Sequence, residues 1–402
     1  MNKLFVVFFT LAFIFGHFAR IEFGNGVALV AIDIVVGFFA AYWFGKTIVV
    51  RKKITSPLLL PTLVFTGIAV QSLVLSLLLF SPIQVLIGSL YLLRFLSYIG
   101  MYFFIREFSK DDRRNLLKGL VVIIGVTVTI GAFQYLYYPS LRNLFYLGWD
   151  DHLYRLFSVF LDPNFTGALF VCFFLFLLYF FKEFRKQSRI KQISLVFFIS
   201  ATTVSIFLTY SRTALLMFVA GGIVYLLLIG KKKMVGGFII GIVVLLLLTV
   251  DTTIEGLNPF RTVSTSARIN SFQIATDIFL KHPVLGVGFN TYRYAQNMYG
   301  YRTSGSWQTS HADSGTDNSF LFVLVTTGLV GFGAYLFLWF RILNVIIKRV
   351  KKGSYFAKIT LSTIVAVFVG ALFLNILFYP FIMAWILMLI ALTERHKNDD
   401  KD

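Results

Sequence analysis

Apolar runs of membrane-spanning length, each closed by a short polar stretch, recur along the whole chain. A helix of about 20 predominantly apolar residues crosses the hydrocarbon core of a bilayer. On that measure the pattern predicts twelve spans, near residues 4–18, 27–44, 57–80, 83–105, 119–138, 163–181, 193–209, 213–230, 234–250, 319–340, 359–378 and 380–392. The first run lacks the small-residue cleavage site of a secretory leader and reads as the first span. Two connections are long, residues 139–162 and 251–318. The expected division is therefore spans one to nine in 1–250, a polar loop or subdomain in 251–318, spans ten to twelve in 319–392, and a solvated tail in 393–402.

The periodicity changes inside the second long connection. Ile269, Phe272, Ala275 and Phe279 fall at spacings of three and four, which predicts a helix with one apolar face. Ser266 is placed to cap it near Arg268, and Pro283 to end it. Such a helix is too short to cross and is expected on the membrane surface or against the bundle. "GVGFN", Gly286–Asn290, reads as a tight turn. It has two glycines of a dinucleotide fingerprint but no parallel sheet to give them that meaning.

Composition sharpens the class. Of 402 residues 58% are hydrophobic and only 14% charged, and the mean hydropathy is +0.81, which excludes an ordinary soluble domain. A net charge of +19 would by itself suggest a nucleic-acid partner. Its distribution argues otherwise. Alternate connections, with the two ends of the chain, hold 27 of the 37 Lys and Arg and eight acids, so the whole excess lies on one side. The positive-inside rule makes that side cytoplasmic and puts both termini there. The single cysteine, Cys172, lies inside a predicted span, so neither an internal disulfide nor a thiolate metal cluster is available. The expected fold is an all-α polytopic membrane protein of about twelve transmembrane helices, with a long outer loop containing a short amphipathic helix.

Candidate chemistry gathers on the less basic side. Arg155 precedes "DPN", Asp162–Asn164; Arg212 sits in "YSRTA" beside Ser211; Arg268 opens the amphipathic helix. Guanidinium groups at a membrane surface suit bidentate binding of phosphate or diphosphate oxygens. Pairing with Asp162 or Asp277, or snorkelling, is the competing account. Arg94 falls mid-span, where a charge must face a polar interior; it either pairs with Asp33 or meets a lipid phosphate. Five histidines show no metal-binding spacing. His311 and Asp317 are the general-base candidates, Asp317 because it stands beside Asn318 where the chain leaves water. The alternative role for Asp317 is to cap the tenth span.

Four stretches in order, "RLFSVFLDPNFTGALF", "LTYSRTALLMFVAGG", "RINSFQIATDIFLKHPVLGVGFNTY" and "TDNSFLFVLVTTGLVGFGAYL", resemble the O-antigen ligase/polymerase superfamily of bacterial envelope glycosyltransferases over roughly residues 155–336. The resemblance implies a GT-C-like bundle and a metal- and cofactor-independent transfer of sugar from an undecaprenyl-diphosphate-linked oligosaccharide. It implies action on the outer face of the bacterial inner membrane. It further implies that Arg155, Arg212 and Arg268 hold the diphosphate, and that Asp162, Asn164, Ser211, Asn318 and Arg94 support the site. Ligases of this family usually carry His where this chain has Asp317. That departure favours the polymerase branch, in which a second lipid-linked repeat unit is the acceptor and a flippase and a chain-length regulator are the expected partners. Ligation to a lipid or protein acceptor is the alternative. A lipid-linked oligosaccharide flippase is the alternative of another class; it would string polar residues through both halves of the bundle.

Overall fold

A computed structural model describes residues 1–147, 151–184, 188–249, 263–302 and 315–395. Fourteen α-helices are found among them: α1 (Asn2–Phe15), α2 (Ala31–Val49), α3 (Leu59–Ser76), α4 (Pro82–Arg106), α5 (Lys110–Tyr137), α6 (Pro163–Phe184), α7 (Arg189–Leu208), α8 (Arg212–Leu228), α9 (Lys233–Thr249), α10 (Val263–Lys281), α11 (Tyr292–Met298), α12 (Ser319–Lys351), α13 (Tyr355–Ala371) and α14 (Pro380–Arg395). Each of the twelve apolar runs overlaps one of these helices. Eight of the helices are long and apolar enough to cross a membrane, and four further apolar helices are shorter. The protein is a multi-pass membrane protein with a helical body.

Two runs begin or end differently from expectation. Residues 27–30 are not helical: β2 (Val27–Val30) pairs antiparallel with β1 (Arg20–Gly24). The turn between them is Asn25-Gly26 with φ of 50° and 73°, the left-handed pair that a tight two-residue hairpin needs. Among the described residues these are the only two strands, and the remaining regular structure is helical. The eleventh run ends as α-helix at Ala371, and its last residues form a separate 3₁₀ turn, Ile376–Phe378.

Helix α14 lies at the centre. Residues from Phe381 to Leu392 are all buried, with Trp385 fully enclosed. A helix apolar on every side belongs inside a bundle, where it need not match the bilayer thickness. Around it, α13 packs tightly on α8: a Cβ on Gly221 would meet Ala366 at 3.0 Å, and one on Gly370 would lie 2.4 Å from Met217 Sδ.

Helix α12 is interrupted. Gly328 has φ 66° and ψ −171°, a conformation essentially confined to glycine. The freed backbone groups are taken up by "PVLGVG", which enters the bundle beside them. Leu329 N donates to Pro283 O at 2.8 Å and Val330 N to Val284 O at 3.2 Å, while Val287 N donates to Val325 O at 3.1 Å and Gly288 N to Thr326 O at 3.0 Å. Ser72 of α3 closes the stitch with its hydroxyl on Leu285 O and Thr326 O, at 2.7 and 2.8 Å. Irregular backbone survives at this depth because protein satisfies it. The "GVGFN" stretch turns tightly, with positive φ at Gly286, Gly288 and Asn290, and places Val287 and Phe289 in the core. The stitch joins the segment after α10 rigidly to α12.

Candidate active site

Two backbone caps and one buried arginine build the first half of the site. Asp162 caps α6: its Oδ1 accepts from the amides of Asn164 and Phe165 at 2.6 and 3.1 Å, with Pro163 at the first helical position. Its Oδ2 lies 3.9 Å from His152 Nε2. Ser211 caps α8 by accepting from Ala214 N at 3.3 Å, which puts Arg212 at the first residue of that helix. Arg155 is buried between the two. Its Nε donates to Thr209 O at 2.9 Å and its Nη2 to Asn164 Oδ1 at 3.2 Å. The start of α6 and the α7–α8 turn approach so closely that a Cβ on Gly167 would lie 2.7 Å from Ala214 Cβ.

The second half comes from α10 and the start of α12. Arg268, half-buried on α10, feels both Asp317 and Arg212. Desolvation lowers its pKa from the ordinary arginine value, the Asp317 carboxylate pulls it up, and Arg212 pushes it down. Desolvation raises the Asp317 carboxyl above the ordinary aspartate value, and Arg268 pulls it partly back. Asp317 reaches solvent even so, with protein crowding one side of it. Arg268 thus lies within electrostatic reach of a second guanidinium group and of one carboxylate. Like charges kept together in this way suit an anion that neutralises both.

Asp317 is not the helix cap. Asn318 takes that role, its Oδ1 accepting from Phe320 N and Leu321 N at 2.8 and 2.9 Å. The preceding carboxylate is thereby released from the structural role the sequence allowed it. Asn318 Nδ2 also donates to Leu372 O at 3.2 Å, and Ser319 Oγ donates to Leu374 O at 3.1 Å, so the α13–α14 connection closes over this end of α12.

Helix α10 corrects one further expectation. It starts at Val263, so Ser266 and Arg268 lie inside its first turns and Ser266 is no cap. Of the expected apolar face, Ala275 is buried beside Ile274 and Ile278 and Phe279 packs on the core, while Ile269 and Phe272 stay exposed. Arg94 pairs with Asp33 at 2.8 Å and donates to Ala28 O at 2.7 Å; Tyr98 holds the other Asp33 oxygen at 2.8 Å. Pairing is the geometry found, on helices other than those that carry Arg212 and Arg268. His311 lies outside the described residues.

Residues the sequence reading passed over also reach this end. Tyr379, just before α14, stacks on Phe165 with ring centroids 4.2 Å apart and meets His17 Nε2 through its hydroxyl at 3.0 Å. Asn375 lies against Gly315, where an added Cβ would sit 3.0 Å from its Nδ2; its buried Oδ1 has no partner among the described residues. An amide oxygen so placed can accept from a hydroxyl. Nothing in the local sequence marks Tyr379 or Asn375, because their neighbours come from distant segments.

Residues 195–336 match the family model described as O-antigen ligase. The comparison with curated proteins found no match. The matched stretch runs from α7 through the α12 break and contains Ser211, Arg212, Arg268 and Asp317. The match supports the resemblance to the O-antigen ligase/polymerase superfamily over 195–336, which holds the last three of the four ordered stretches.

Proposed function

We propose that this multi-pass protein, with its O-antigen ligase-type segment, is a polymerase that joins undecaprenyl-diphosphate-linked oligosaccharide repeat units into a surface polysaccharide. The observation that carries the reading is that Arg268 of α10 lies within electrostatic reach of both Arg212, at the start of α8, and Asp317, just before α12. In this reading Arg212 and Arg268 hold the donor diphosphate and stabilise the charge that develops as it leaves the anomeric carbon. Asp317 takes the proton from the acceptor hydroxyl as the new glycosidic bond forms. Arg155, Asp162, Asn164 and Ser211 set the basin, Arg155 adding a third positive charge beneath it. In this reading the basin lies on the outer face of the inner membrane, opposite the basic loops and both termini, as the positive-inside rule supports.

The test is Arg212. Arg212→Ala is expected to lower transfer about ten- to a hundred-fold, the worth of a charge-assisted hydrogen bond. Arg212→Lys should fare little better, because it keeps the charge and loses the two-pronged fork. Initial rates on purified, correctly folded variants, with donor concentration varied, check it; a near-normal rate for Arg212→Ala removes the residue from the site. Ligation to a non-repeat acceptor is the second reading, favoured by the description of the matching family model. It predicts single-addition products in the same assay.

A further inference from the structure

At the other end of α12, roughly 45 Å from Asp317 along the helix axis, a cleft of about 470 Å³ opens between the last turns of α2, α4, α12 and α14. Lys52, Lys53, Arg106 and Arg349 line it, against Glu107 and Glu394, with Trp43 at its wall. Both carboxylates are already committed. Glu107 accepts from Lys52 at 2.8 Å and from Trp43 Nε1 at 3.0 Å. Glu394 pairs with Arg106 at 2.9 Å and accepts from the Tyr102 hydroxyl. Arg349 donates to the Glu394 carbonyl, an uncharged partner. Among the described residues neither Lys53 nor Arg349 forms an ion pair with an acid. The cleft thus holds two cations beyond those its acids balance, in a volume suited to a small ligand.

We propose that this cleft is a second binding site, for the phosphate group of an anionic membrane lipid. Three features favour a lipid over a soluble ligand. The cleft lies among the basic loops, at the level where headgroups meet water. Trp43 stacks flat on Phe103, with centroids 5.1 Å apart, and so fixes an indole at that boundary. The same end of α2 leaves Phe44, Ile48, Val49 and Val50 between 58% and 83% exposed, an apolar flank for acyl chains next to the charged cleft. The site is independent of the arginine basin at the far end and of the reaction proposed there.

Delipidated full-length protein in a neutral detergent tests this, titrated with dioctanoyl-phosphatidylglycerol, dioctanoyl-phosphatidylcholine and glycerol phosphate, with bound ligand counted by native mass spectrometry. Phosphatidylglycerol is expected to bind about tenfold or more tightly than phosphatidylcholine, as the worth of a charge-assisted contact implies. Lys53→Ala, which changes an exposed side chain, should weaken it about tenfold, and Arg349→Gln should do the same. Glycerol phosphate binding as tightly as phosphatidylglycerol keeps the phosphate site and makes the ligand soluble; much weaker binding assigns it to the lipid. Equal affinity for the two lipids, or phosphatidylglycerol binding unaltered in folded Lys53→Ala, overturns the proposal.

Discussion

Asp317→Asn is expected to cut transfer by about a hundred- to ten-thousand-fold, the usual worth of a general base, while the protein folds and binds donor normally. The substitution is close to isosteric, and Asn318 supplies the cap of α12, so the helix start keeps its capping hydrogen bonds. Removing a negative charge beside Arg268 leaves the arginine pair at least as receptive to a diphosphate. The pH profile gives an independent sign. Desolvation raises the Asp317 carboxyl, so the wild-type rate should fall with decreasing pH on an acid limb above the ordinary aspartate range, as the base becomes protonated. The variant should lack that limb. Rates and donor binding measured side by side with His311→Ala decide between the two bases: an active Asp317→Asn protein with an inactive His311→Ala protein moves the role to His311.

Gly328→Ala is expected to cost about 3 kcal/mol or more in stability, from backbone strain and overpacking together. A Cβ there would lie 2.2 Å from Val284 O, and the residue would have to hold φ 66°. The stitch between the "PVLGVG" insert and α12 should open, and with it the fixed spacing of Arg268 and Asp317. Gly333→Ala is the matched control on the same helix, since its Cβ would meet nothing within 4 Å. Thermal unfolding in detergent should show a large loss for Gly328→Ala and little change for Gly333→Ala; equal melting of both would mean that the break does not hold the two segments together.

Hydropathy was a good guide to the helical body because long apolar runs leave few other options in a bilayer. It failed where backbone geometry, not side-chain polarity, decides the structure. The hairpin at Asn25-Gly26 is a local signal that the apolar run after it obscured. The break at Gly328 and the irregular segment from Pro283 to Gly288 that pairs with it are each meaningful only with the other, so neither shows in its own stretch of sequence. The site was legible by halves. Asp162, Asn164, Ser211, Arg155 and Arg212 lie in stretches whose caps and turns can be read locally. That Arg268 feels both Asp317 and Arg212 depends on how α10 docks, and the apolar spacing of α10 marked only part of its inward face. Tyr379 and His17, which stand 362 positions apart, could not have been paired from sequence.

The most direct measurement uses purified protein in a bilayer with purified undecaprenyl-diphosphate-linked repeat units as both donor and acceptor, following glycan length and released undecaprenyl diphosphate together. The account predicts a ladder of lengthening glycans, one diphosphate carrier released for each bond formed, and loss of both in Arg212→Ala and Asp317→Asn. Movement of intact lipid-linked units across the bilayer with no carrier released would contradict it and identify a transporter.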